Sequence, residues 1–94
     1  MEPTIQHDPE AGKFFTTVDG REGYLRYAHR STETVDFQST YVPSELRGKG
    51  LAGEIVERAL EWAESEGKRV IPSCWYVNEY IKRHPRFESL RAEG

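Results

Sequence analysis

Apolar and polar residues change their rhythm once along this chain, at Pro43. Before it they alternate or gather in short runs. "KFFTTV" and "REGYLRYA" are rich in aromatic and β-branched residues and flank Asp19-Gly20, a strong hairpin signal. "TIQHD" predicts an earlier edge strand. "ETVDFQSTYV", residues 33–42, predicts a further one. In it Val35, Phe37, Ser39 and Tyr41 alternate with Asp36, Gln38 and Thr40, which suits a sheet covered mainly on one face.

After Pro43 the spacing becomes helical. Leu51, Ala52, Ile55, Val56, Ala59, Leu60 and Ala63 share one face, and glutamates and Arg58 fill the solvated one. Gly67 suits a C-cap, followed by Lys68 and Arg69. "KRVIPSC" predicts a short strand ended by Pro72. "WYVNEYIKRH" places Val77, Tyr80, Ile81 and His84 at helical spacing, and "HPRFESL" predicts a last short strand. A strand–helix–strand unit over residues 34–72 implies a right-handed crossover and a parallel strand pair. The expected fold is one α/β domain, residues 1–94, on a mixed sheet.

Composition narrows the function. A net charge of −3 argues against a broad nucleic-acid surface. No apolar run approaches the roughly 18 residues of a membrane span, and the acidic, polar start "MEPTIQHDPE" does not read as a signal peptide. A single cysteine, Cys74, excludes an internal disulfide and makes a reducing compartment, the cytoplasm, the default expectation.

The chemistry concentrates in "ELRGKGLAGE", residues 45–54. Arg47 and Lys49 sit among glycines at a helix start, where the helix dipole favours negative charge rather than positive. Bare N–H groups at such a terminus form an anion site, above all where glycines let a ligand approach the main chain. Gly53, inside the first turn, costs about 1 kcal/mol relative to alanine, and a close backbone approach would explain it. The expected ligand group is phosphate; the plain alternative is a surface turn.

Known phosphate motifs fit poorly. Gly48 to Gly53 spells G-x-G-x-x-G, but "PSELR" separates it from the strand and no acid follows in "RVIPSC". A P-loop needs Ser or Thr after Gly-Lys, where Gly50 stands. A kinase glycine loop joins two strands, whereas this one opens a helix.

Arg47-x-x-Gly50-x-Ala52 after "YVPSEL" resembles the Q/R-x-x-G-x-G/A signature of the GNAT acetyltransferase superfamily. It resembles still more a subfamily of very small GNAT-like proteins, in which "VP-x-E-L-R-G-K-G" precedes a helix, a strand ending in Pro-x-Cys, and "YI-x-R-H-P". Here those are Pro72-Ser73-Cys74 and "YIKRHPRF", and the match spans about residues 33–87. The resemblance implies a minimal GNAT fold with antiparallel strands, then β-α-β-α, and a splayed parallel pair. It implies that acetyl-CoA rests its pyrophosphate on the main chain of Arg47, Gly48, Lys49, Gly50, Leu51 and Ala52. Pantetheine would lie along Tyr41 and Val42 like an added strand, where a backbone N–H could hold the oxyanion. No metal is implied.

On the same resemblance Tyr80 is the candidate acid for the leaving thiolate, or else a core tyrosine. Cys74 is either a nucleophile forming an acyl-enzyme or a small lining of the pantetheine slot. Arg83 or His84 would meet the 3′-phosphate of CoA, or else simply favour the helix C-terminus. Trp75 and Tyr76 line an acceptor cleft or belong to the core. The subfamily carries His-Thr-Glu just before "VP", where this chain has Ser39-Thr40-Tyr41, so no obvious general base stands on that strand. The implied activity is N-acetylation of an amine, a small molecule or a protein; the alternative is a CoA-binding module without turnover. The short chain leaves the acceptor side open or completed by a second copy.

Overall fold

Asp19 and Gly20 are both left-handed, with φ of 51° and 76°, the geometry of a two-residue hairpin whose twist matches its strands. They join β2 (Lys13–Val18) to β3 (Arg21–His29), paired antiparallel from Lys13↔Arg26 to Val18↔Arg21. β1 (Gln6–Asp8) pairs with β2, and β4 (Thr34–Tyr41) pairs with β3, all antiparallel. β5 (Arg69–Ile71) joins β4 in parallel and completes a mixed sheet ordered β1-β2-β3-β4-β5. This computed structural model describes residues 4–48 and 50–92.

Helix α1 (Leu51–Ser65) lays its predicted stripe on the sheet: Leu51, Ile55, Val56, Ala59, Leu60 and Ala63 are all buried. They meet Phe14, Leu25, Tyr27, Val35, Phe37 and Val70 in one core. Fully burying a side chain such as Ile55 or Leu60 contributes about 1.5–3 kcal/mol. The helix ends in a Schellman motif, in which Lys68 N–H donates to Ala63 O at 2.8 Å and Gly67 N–H to Glu64 O at 3.2 Å. Helix α2 (Trp75–Arg83) buries Val77 and Ile81 and follows β5 after Pro72.

Two expectations fail here. "HPRFESL" is a 3₁₀ segment, Pro85–Leu90, not a strand. Pro85 has no N–H for a ladder, and the two buried residues, Phe87 and Leu90, are three apart, the period of a 3₁₀ turn. The alternation along β4 also breaks. Arg26 faces Ser39 while Tyr27 faces Phe37, so Gln38 is an extra, bulged residue. Val35 and Phe37 are buried, but beyond the bulge it is Thr40 that turns inward and Ser39 and Tyr41 that face out. One inserted residue exchanges the two faces.

Candidate active site

Between β4 and α1 the chain makes a 3₁₀ turn, Ser44–Leu46, that drives Leu46 into the core. Gly48 and Gly50 follow with φ of 83° and 74°. A Cβ at either would meet nothing within 4 Å, so the backbone conformation, not lack of space, demands glycine. Gly50 is the N-cap of α1 and offers no side chain to its first-turn N–H groups. The nearby carboxylate does not supply one either: Glu45 turns towards β3 and pairs with Arg21 at 3.3 Å. Hydrogen bonding by its own backbone N–H, then the charge of Arg21, holds the Glu45 carboxyl below its usual range. A cleft of about 230 Å³ opens at this end, lined by Val42, Arg47, Gly48, Gly50, Leu51, Ala52, Leu46 and Tyr76. Arg47 Nε donates to Val42 O at 3.0 Å, joining the loop to the end of β4. Lys49 lies outside the described residues.

The parallel strands part beside this cleft. Their ladder ends at Asp36↔Ile71, and a last link, Cys74 N–H to Phe37 O at 2.9 Å, comes from beyond Pro72. Past that point, among the described residues, Ser39, Thr40 and Tyr41 of β4 pair only with β3, which leaves the other edge of β4 open there. Cys74, 9% exposed, stands at the fork as the N-cap of α2, and its Sγ lies 3.4 Å from Thr40 Oγ1. Tyr41 points to the other face, its ring 5.6 Å from that of Tyr24.

Tyr80 and Arg83 occupy a neighbouring cleft of about 180 Å³ on α2, with Trp75, Tyr76, Glu79 and His84. Tyr80 stacks on His84 at 3.9 Å between ring centroids. Burial, and then the charge of Glu57, push its phenol pKa up, so it stays protonated. Trp75 is 74% exposed, so the core reading fails for it, whereas half-buried Tyr76 packs against the core and also lines both clefts. The structure thus gathers the loop residues and Val42 at one cleft and Cys74 with Thr40 at the fork. Tyr80 and Arg83 stand in the adjoining cleft, with Tyr76 common to both.

One residue escaped sequence reasoning. Asp36 is 2% exposed, at the last rung before the strands part, and Arg30 Nη2 donates to its Oδ2 at 2.9 Å. Its signal was an acid inside an otherwise apolar strand centre, "VDF", with an arginine six residues earlier.

Comparison with known proteins bears on the family and the fold. Residues 13–90 match the model of a family described as GCN5-related N-acetyl-transferase. The chain is similar to Protein NATD1 of Xenopus tropicalis, with 30% identity over 83 residues that cover 86% of this chain and 76% of that protein. It has the same identity to Protein NATD1 of Homo sapiens, covering 86% of this chain and 74% of that one. A GCN5-like protein from Staphylococcus aureus, solved by NMR, superimposes with a TM-score of 0.75 at 17% identity, covering 97% of this chain and 89% of that one. With the loop, the parted strands and the family match in hand, the chain belongs to the GCN5-related N-acetyltransferase family.

Proposed function

We propose that this protein is an acetyl-CoA-dependent N-acetyltransferase that acts by direct attack of an amine on the thioester. The observation that carries the reading is the left-handed Gly48 and Gly50 ahead of an α1 terminus that no side chain among the described residues caps. The coenzyme's pyrophosphate would take those N–H groups, and Arg47 would add charge. Pantetheine would run along the open edge of β4. Because Arg47 already engages the Val42 carbonyl, Val42 would meet it through its N–H.

The amine nitrogen attacks the thioester carbonyl, and a backbone N–H near Tyr41 or Val42 holds the oxyanion. Collapse breaks the C–S bond. The thiolate takes its proton from Tyr80, and the proton lost from nitrogen passes to water. Cys74 lines the slot, with the neutral Thr40 hydroxyl as its side-chain partner. Arg83, in the adjoining cleft, would reach the 3′-phosphate.

A second reading, CoA or acyl-CoA binding without turnover, draws on Ser39, Thr40 and Tyr41, which offer no general base at the end of β4. Calorimetric titration with CoA, followed by thiol release from acetyl-CoA over a panel of amines, separates the two. Turnover with any amine supports the transferase; binding without turnover across the panel supports the module; no binding removes both. Tyr80→Phe sharpens the result. It should lower kcat while CoA affinity and unfolding midpoint stay unchanged, and an unaltered kcat would remove Tyr80 from the chemistry.

A further inference from the structure

The two faces of the sheet are furnished unequally. Both helices bury their apolar stripes in one core with Phe14, Leu25, Val35 and Phe37. Successive strand residues alternate, so Phe15 of β2, Tyr24 and Arg26 of β3, and, beyond the bulge, Ser39 and Tyr41 of β4 point the other way. Among the described residues no helix lies over that face.

Register gathers these side chains at the fork. Phe15 faces Tyr24 and Tyr24 faces Tyr41, an aromatic row across three strands. The Tyr24 and Tyr41 rings lie 5.6 Å apart, and Tyr41 is 46% exposed. In the next row Arg26 faces Ser39, and its guanidinium stands 5.2 Å from the centre of the Tyr24 ring. Ser39 and Tyr41 belong to the stretch of β4 whose other edge is open.

The charges of this face leave one cation over. Lys13 pairs with Glu22 at 3.0 Å, and Arg30 with Asp36 at 2.9 Å. Arg26 is exposed and pairs with no carboxylate among the described residues. It would repel a second ammonium group and pair with a carboxylate through two parallel N–H groups. Tyrosine rings beside it offer their faces to an apolar or aromatic body.

We propose that this face receives the amine acceptor, and that the acceptor carries a carboxylate as well as its amine, as an α-amino acid does. Arg26 would hold the carboxylate, the Tyr24–Tyr41 pair would take the side chain, and the amine would reach past Ser39 to the open edge of β4. The role assigned to this face rests on reading that edge as the thioester slot. The α1 terminus and Tyr80 would hold the coenzyme on the helix side, so an amine arriving on the opposite face does not compete with it for space. A single-stranded nucleic acid fits less well: rings and cations suit it, but its repeated phosphates need more than one free cation, and Glu22 already neutralises Lys13.

Steady-state kinetics on matched pairs test this: phenylalanine against phenethylamine and leucine against isopentylamine, which differ by the carboxylate alone, with cadaverine as a dication. The amino acids should exceed their partners by about tenfold or more in kcat/KM, the worth of a contact to a charged group, and cadaverine should be the poorest. Arg26→Ala should raise KM for the amino acids and erase the difference, with CoA affinity and unfolding midpoint unchanged. Equal rates within each pair, a preference for cadaverine, or a difference that survives Arg26→Ala overturns the proposal. If the wild type binds no CoA, or binds it and turns over no amine, the transferase reading falls, and amide NMR shifts decide the face on their own. N-acetylphenylalanine should move the signals of Tyr24, Arg26, Ser39 and Tyr41 in the wild type and leave those of Tyr24, Ser39 and Tyr41 in place in Arg26→Ala. Unmoved wild-type signals overturn the proposal. So do signals that answer instead to oligo(dT), a nucleic-acid strand, or to protein concentration alone, the mark of a second copy on this face.

Discussion

Thr40 and Cys74 meet across the fork of the sheet, Oγ1 to Sγ at 3.4 Å, one from β4 and the other from the start of α2. The hydroxyl is neutral, and a nucleophilic thiol needs a cation or base beside it. Cys74→Ala should therefore keep most of its turnover and cost about 1 kcal/mol of stability for the small void it leaves. Steady-state kinetics and intact-mass analysis after incubation with acetyl-CoA check this. An acetyl adduct on wild-type Cys74, with activity gone in the alanine variant, would establish an acyl-enzyme instead.

Gly53 gives a prediction in which stability and binding move in opposite directions. A Cβ there would lie 3.5 Å from the Tyr76 hydroxyl and 3.6 Å from Tyr80 Cε2, both ordinary contacts. Packing therefore does not require glycine, and Gly53→Ala should stabilise the helix by about 1 kcal/mol. If the coenzyme approaches the main chain of the first turn, the same methyl should weaken CoA binding. Thermal unfolding and calorimetry read the two effects, and a stabilised variant with unchanged affinity would show that nothing approaches this turn.

The legible parts of this chain were those where a local pattern answers to a local cause. Asp19-Gly20 announced its hairpin, the stripe from Leu51 to Ala63 announced α1, and Gly48 and Gly50 marked the loop that opens it. What stayed hidden depends on contacts between distant residues. Nothing in "FQST" signals that Gln38 is bulged, because the bulge is defined only by how β3 pairs against it. Asp36 looked like an outward polar residue, yet in the fold it is buried beneath Arg30. "HPRFESL" is too short for its period to stand out, and only the core that Phe87 and Leu90 enter shows it as a 3₁₀ segment rather than a strand.

Gly50→Ala separates conformation from space. The left-handed φ of 74° costs an alanine about 1–2 kcal/mol, while its methyl would meet nothing within 4 Å. The unfolding midpoint should fall by about 4–8 °C per kcal/mol for a domain this size. CoA affinity should fall about tenfold, which is 1.4 kcal/mol, as the N–H groups turn away from the phosphates. An affinity loss no larger than wild-type scatter, in a variant that shows the expected drop in midpoint, would move the pyrophosphate to another part of the surface.

His7 makes the fold sensitive to mild acid at the edge remote from the loop. Its ring stacks on Phe14 at 4.0 Å between centroids, meets Trp62 at 4.9 Å, and shares a hydrogen bond of 2.5 Å with the Tyr27 hydroxyl. Burial, more than any charge, lowers its pKa from 6.5; Arg58 lowers it further, while Asp8 and Glu66 pull the other way. The fold thus favours neutral His7, and as pH falls the unfolded chain takes up the proton first. Its stabilisation is complete above 6.5 and is lost as pH falls from there through the lower folded value. Denaturant midpoints should rise with pH across that window, and His7→Gln, which can still bond Tyr27, should flatten the rise. The Tyr27 hydroxyl can donate to the neutral ring or accept from the charged one, so acid need not break the bond. What acid costs is the burial of a charge between Phe14 and Trp62, and a slope that survives in His7→Gln would assign the effect to another group.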